Sequence, residues 1–150
     1  MRGRSKVAQE GTTLIEVLVA LLILTVGLLG AAAFQLNALK YTDSSRMTSQ
    51  ASFIAYDMMD RIRANSGADY TGAPPAAPNP SVARDQDLYD FTTNIATALG
   101  ATATGTITFN NKREHTITIT WDDSRAANVA NTRRSFVLVS RASIDPVATP

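Results

Sequence analysis

The chain has 150 residues, with 14 Lys+Arg against 13 Asp+Glu, one histidine and no cysteine. The lack of cysteine excludes disulfide scaffolds, thiol nucleophiles, zinc ribbons and Fe–S clusters. A formal net charge of +1 argues against a dedicated nucleic-acid binder, and the length suits one domain plus extras.

The apolar residues are segregated. Val17–Leu39 is a run of 23 residues without a charge, and 17 of the 21 residues in Leu14–Phe34 are apolar. The hydrophobic share of 45% for the whole chain therefore falls to about 39% elsewhere, modest for a packed domain. No second run of that length follows, which excludes a multi-helix membrane protein. The first eleven residues carry Arg2, Arg4 and Lys6 against Glu10, a net of +2. A basic flank before an apolar helix is held on the cytoplasmic side, so the C-terminal part is expected outside the cytoplasm. At 1.5 Å per residue the uncharged run reaches ~34 Å, enough to cross a bilayer core of ~30 Å.

Three readings fit this start. It is a cleaved secretory signal with an A-x-A site at Ala31-Ala32-Ala33. It is a plain single-span anchor. Or it carries a leader cut on the cytoplasmic side, before the apolar run, which then stays in the mature chain. Glu16 discriminates among them. A carboxylate in an apolar run costs a few kcal/mol in the first two readings and gains nothing there, short of snorkelling to the headgroups. In the third it lies five residues after Gly11, where it can pair with the free N-terminal amine of a neighbouring subunit.

The string Gly11-Thr12-Thr13-Leu14-Ile15-Glu16-Val17-Leu18-Val19-Ala20-Leu21-Leu22-Ile23-Leu24 closely resembles the prepilin signature of the type IV pilin family. That family has a short basic leader ending in Gly and a Phe-Thr-Leu-Ile-Glu-like start. Gly11, Leu14, Ile15 and Glu16 match it; Thr12 stands where the family usually has Phe or Met. The resemblance implies cleavage by the prepilin peptidase between Gly11 and Thr12, N-methylation of Thr12, and pairing between subunits through Glu16.

Met47, Ala51, Ile54, Met58 and Ile62 recur at spacings of 4, 3, 4 and 4, one face of a helix. One long helix is predicted from about Thr13 to Asn65, with Arg61 and Arg63 in its last turn and Gly67 as the C-cap residue. Thr42-Asp43-Ser44-Ser45 is the one place where a second helix could be capped instead. Gly27 and Gly30 fall in the membrane half and suit close helix approach or a local weak point. Residues 67–80 form a connector with a Pro-Ala tract, Ala73–Pro80, read as an extended surface loop. Leu88, Phe91, Ile95 and Leu99 mark a short helix over Asp85–Leu99, capped by Asp85 or Asp87 and closed by Gly100.

Beyond it the period becomes two. Thr106–Phe109, Thr116–Trp121 and Ser135–Ser140 read as strands, with a hairpin turn at Asn110–Arg113 and a polar loop over Asp122–Arg134. The expected core on the sheet is Ile107, Phe109, Ile117, Ile119, Trp121, Phe136 and Leu138. Two further strings narrow the resemblance. Asp57-Met58-Met59-Asp60-Arg61-Ile62-Arg63-Ala64-Asn65, followed by Tyr70, resembles the helix end of PilV-type minor pilins, and Trp121-Asp122-Asp123 resembles their Trp-Asp strand end.

Other candidate chemistry is weak. His115 lacks a Ser, Cys or metal-ligand companion motif and reads as a solvated strand-edge residue. Asp122-Asp123-Ser124 lacks the spacing of a calcium loop and reads as a turn. Arg133-Arg134 is a small basic patch for DNA or another anion. No phosphate-binding glycine loop is present.

The expected fold is α+β and pilin-like: one long N-terminal helix, half membrane and half amphipathic, packed on an antiparallel sheet of about three strands, with a short helix in the connector. The segments are a leader at 1–11, the transmembrane and filament-core half at 12–34, the amphipathic half at 35–66, the connector at 67–105, and the sheet with its tail at 106–150. The resemblance implies a minor pilin, not an enzyme, with no cofactor, metal or small-molecule substrate. Its partners would be the prepilin peptidase, other minor pilins, the major pilin, a tip adhesin and the inner membrane. It implies a single pass with a periplasmic C-terminal domain, then a place in the extracellular pilus. It also implies priming of pilus assembly and support of twitching motility and adhesion. The alternatives are a minor pseudopilin of a type II secretion system, a DNA-uptake pilin, or a monotopic or secreted protein. The mature chain would hold 11 Lys+Arg against 12 Asp+Glu, which counts against DNA binding.

Overall fold

A computed structural model describes residues 13–110, 114–127, 129 and 132–142. By its internal contacts the chain divides into two units, residues 1–39 and 40–150. One helix, α1 (Leu14–Ala64, 51 residues), runs through both. Its first half is rich in Leu and Ala, which suit a helix, and no proline interrupts it. Thr13 starts it: the Glu16 amide donates to Thr13 O at 3.0 Å and to Thr13 Oγ1 at 3.4 Å. Thr42–Ser45 caps no second helix. Instead the hydroxyls of Ser45, Thr48 and Ser49 bond back to the carbonyls of Tyr41, Ser44 and Ser45.

From residue 13 to residue 43 no side chain is buried. Ser44 is the first buried residue of α1, and Met47, Ala51, Ala55, Met58, Met59 and Ile62 follow on one face. The stripe is the expected one, except that Ile54 is only partly buried and Ala55 and Met59 widen it. The helix stops after Asn65 N donates to Arg61 O, and Ala68 N then turns back to Asn65 O, both at 3.1 Å. Gly67 was expected to cap it in the left-handed region. Among the described residues Gly100 is the only glycine at positive φ, so the turn at residues 65–68 closes without that geometry.

The second helix, α2 (Ala83–Leu99), buries Leu88, Phe91, Ile95 and Leu99. Neither Asp85 nor Asp87 caps it. Its N-cap is Val82, in extended conformation with no side-chain bond. The Val82 carbonyl receives the Asp85 and Gln86 amides at 3.0 Å. Gly100 closes the other end at φ 102, its amide donating to Ala96 O at 3.1 Å.

Three antiparallel strands follow in the order β1-β2-β3: β1 (Thr104–Phe109), β2 (Glu114–Asp122) and β3 (Arg133–Arg141). The register sets Ile107 beside Ile117 and Ile117 beside Leu138; Gly105 lies beside Ile119, and Ile119 beside Phe136. A Cβ at Gly105 would collide with Phe91 and Ile95, so only glycine lets α2 lie this close to β1. The hairpin is bracketed by Asn110 N donating to Glu114 O at 3.0 Å; the rest of the predicted turn, 111–113, lies outside the described residues.

The predicted loop at Asp122–Arg134 holds one helical turn, α3 (Ser124–Ala127). Asp122 Oδ1 accepts the Ser124 amide at 2.9 Å, and Asp123 O accepts the amides of Ala126 and Ala127. The turn is built from these local bonds and has no apolar period to betray it.

The core lies among the second half of α1, α2 and the sheet. Ile117, Ile119 and Trp121 are at most 1% exposed, and Tyr70 from the connector is buried with them. Phe136 and Leu138, on the edge strand β3, are only partly buried. Phe109 departs from expectation: its ring is 53% exposed beside an open cleft at the hairpin end of the sheet.

Candidate functional site

Glu16 sits in the first turn of α1, where a carboxylate suits the positive end of the helix dipole. Its neighbours on the helix face are Ile15, Val19, Ala20 and Ile23. Among the described residues no cation lies within ion-pair distance of it. The surrounding side chains are exposed throughout, from Leu14 at 79% to Leu39 at 66%. Among the described residues α1 is the one helix long and apolar enough to cross a membrane. Gly11 and Thr12, the predicted cleavage junction and methylation point, lie outside the described residues. Gly27 and Gly30 have open space around them.

The two strings that narrowed the resemblance bind the fold together. Arg61 does not serve the helix dipole alone. Its Nε donates to Asp57 Oδ2 at 2.9 Å; its Nη1 donates to Asp87 Oδ1 at 2.9 Å and Asp90 Oδ2 at 3.3 Å. Asp87 Oδ2 also accepts the Tyr70 hydroxyl at 2.8 Å, and Asn65 Nδ2 donates to that hydroxyl at 3.3 Å. The hydrogen bond that Arg61 donates to Asp87 raises the pKa of the guanidinium above its ordinary value. Arg63 pairs with Asp60 and reaches Ser140 Oγ at 2.8 Å and Arg141 O. One turn of α1 thus grips α2, the connector and β3.

At the other end of β2, Asp123 is buried. Its Oδ2 accepts Ser44 Oγ at 2.9 Å and Arg134 Nε at 2.8 Å. Arg133 Nη2 donates to Thr102 O at 2.9 Å. Both guanidinium groups of the expected basic patch are therefore engaged by the fold.

His115 contradicts the sequence reading. It was expected to be solvated; it is 8% exposed, its ring centroid 4.8 Å from that of Phe109. The signal was available: β2 buries every second residue, and the alternation of Ile117, Ile119 and Trp121 extends back to His115. Burial pushes its pKa below the ordinary 6.5. No cluster of three or more His, Asp or Glu groups among the described residues could hold a metal ion.

No family model, characterised protein or solved structure matches this chain.

Proposed function

We propose that this chain is a minor type IV pilin resembling the pilus modification protein PilV. The observation that carries the reading is Glu16: an acid with no cation at ion-pair distance among the described residues, at the head of a helix whose first half buries none of its apolar side chains. A carboxylate there is costly in lipid unless a cation meets it. The free amine at Thr12 of a neighbouring copy or related subunit would meet it and set the stagger between subunits. The prepilin peptidase would cut between Gly11 and Thr12 and methylate Thr12. Residues 12–34 would anchor the chain in the inner membrane, N-terminus cytoplasmic, before entering the filament core. The subunit would join other minor pilins in a priming complex, next to the major pilin and a tip adhesin, and end at or near the pilus tip. Because Glu16 needs an amine from another subunit, a subunit beyond it is expected and the extreme tip is not its place. In this reading the protein catalyses nothing; its work is assembly, in support of twitching motility and adhesion.

The α+β architecture supports the reading. Intact-mass measurement and N-terminal sequencing of the protein from its native cells test it. The expected product starts at Thr12 and carries one added methyl group. A start at Phe34, or an uncut Met1, rejects it. Glu16→Leu should abolish entry into the pilus and the complex while leaving the folded part intact; unchanged assembly would sink the pairing role.

A further inference from the structure

The edge strand β3 is nine residues long, against a usual strand of about 5–6. Its middle, Ser135–Ser140, carries no charge. Val137 and Val139 are 53% and 55% exposed on one face, and Phe136 and Leu138 are only partly buried on the other. Among the described residues, the backbone of 133–139 makes no hydrogen bond beyond the ladder to β2. The N–H and C=O groups of alternate residues along that stretch therefore point away from the sheet. The opposite edge is less open: β1 has six residues, and connector residues 70–74 and α2 line a cleft beside it.

Charge sits at the two ends of β3, with Arg133 and Arg134 at the start and Arg141 at the finish. The side chains of Arg134 and Arg141 are 57% and 48% exposed. Arg133 gives Nη2 to Thr102 O, and Arg134 gives Nε to Asp123. A guanidinium has five N–H donors, so both can take a further acceptor. Charges on an edge strand commonly deter pairing. Here they leave the middle bare, so they select among partners and do not block the edge.

We propose that the free edge of β3 receives an extended segment of a partner protein as a fourth strand, β-branched and uncharged in its middle and acidic at both ends. The backbone of that segment continues the ladder, its alternate side chains cover Val137 and Val139, and its carboxylates meet the arginines. A second copy of this chain fits poorly. Laid antiparallel about Val137, its β3 would set Arg133 beside Arg141 twice; laid parallel in register, it would set each arginine beside itself. Like charges directly opposite are unfavourable in a sheet. The inference goes beyond the pilin reading and does not depend on it.

The probe is the synthetic peptide Glu-Thr-Val-Thr-Val-Thr-Val-Glu-Glu-amide with a fluorophore on its N-terminus, added to full-length protein in detergent micelles. Fluorescence anisotropy should show saturable binding, half-complete at about 0.1 mM or below. A peptide with lysine for every glutamate should bind about tenfold more weakly. Methylating alternate backbone nitrogens of the peptide gives two further probes. One set removes donors that face β3, the other donors that face solvent, so one probe should lose binding and the other keep it. Arg133→Gln with Arg141→Gln, both at exposed positions, should remove most of the preference for glutamate. No saturable binding, equal binding of the lysine peptide, equal behaviour of the two methylated probes, or an unaltered preference in the double variant would overturn the proposal. So would a dimer in sedimentation that Val137→Lys dissociates, because a second copy would then hold the edge.

Discussion

Ser44 and Asp123 lie 79 positions apart, and a hydrogen bond of 2.9 Å joins them in the interior. Asp123→Ala would leave the Ser44 hydroxyl buried without its acceptor and would free Arg134. The expected loss is about 2 kcal/mol, against about 1 kcal/mol for Ser44→Ala, which leaves the Arg134 pair in place. Urea unfolding followed by Trp121 fluorescence measures both, since Trp121 is the only tryptophan and is 1% exposed. Equal losses would mean that Arg134 adds nothing. Glu16 stands out in the sequence because a carboxylate in an apolar run is a local signal. The Ser44–Asp123 bond was not, because nothing local ties a serine in a helix to an aspartate after a strand. His115 stands between these cases: its face is written in the strand period, while the charged Arg113 and Glu114 before it are a local signal of solvent.

At the scale of elements, the end of α1 does more than a helix end requires. Arg61 is one-third exposed yet reaches three carboxylates, and Asp87 is only 16% exposed. Arg61→Gln should cost about 1–2 kcal/mol, a value already reduced for solvent screening. Arg63→Gln should cost less, about 0.5 kcal/mol or under, because Arg63 and Asp60 are 44% and 72% exposed. The same urea titration separates them; equal effects would show that the contact with α2 is not what matters. The helices and strands were legible because their periods run over many residues. The capping of α2 by Val82 was not, since an Asp near a helix start satisfies the usual pattern whether or not its side chain turns back. Here Asp85 is held instead by Arg84 and Asn79. The single turn of α3 was hidden for lack of any period.

For the whole molecule, stability should vary with pH in two separate windows. Burial lowers the His115 pKa below 6.5, so the unfolded chain takes up that proton first as pH falls. Its contribution is fully present above about pH 6.5 and declines below it, down to the folded value. Hydrogen bonds hold Asp69, Asp85 and Asp122 below 3.8. Their contribution is present above that value and is lost only in stronger acid. Urea midpoints taken from pH 8 to pH 3 should fall in both windows, and His115→Gln should flatten the upper one alone. A variant that keeps the upper slope would show that some other group titrates there. The α+β architecture was legible as a whole because its period shifts once, from helix to strand. The way α1, the connector and the sheet lock together depends on pairs far apart in the chain and was not.

Ser44 is also the first residue of α1 to be buried, with Met47 and Ala51 next along the helix. Tension in the helix from its N-terminal side therefore enters the folded part at the Ser44–Asp123 bond, before it loads the methionine and isoleucine contacts behind it. Asp123 passes the load to the end of β2 and, through Arg134, to β3. A chain held by the first half of α1 and pulled by its sheet would yield first at that hydroxyl and carboxylate. Single-molecule pulling should show Ser44→Ala giving way at lower force, and an unchanged force would place the first yield deeper in the core.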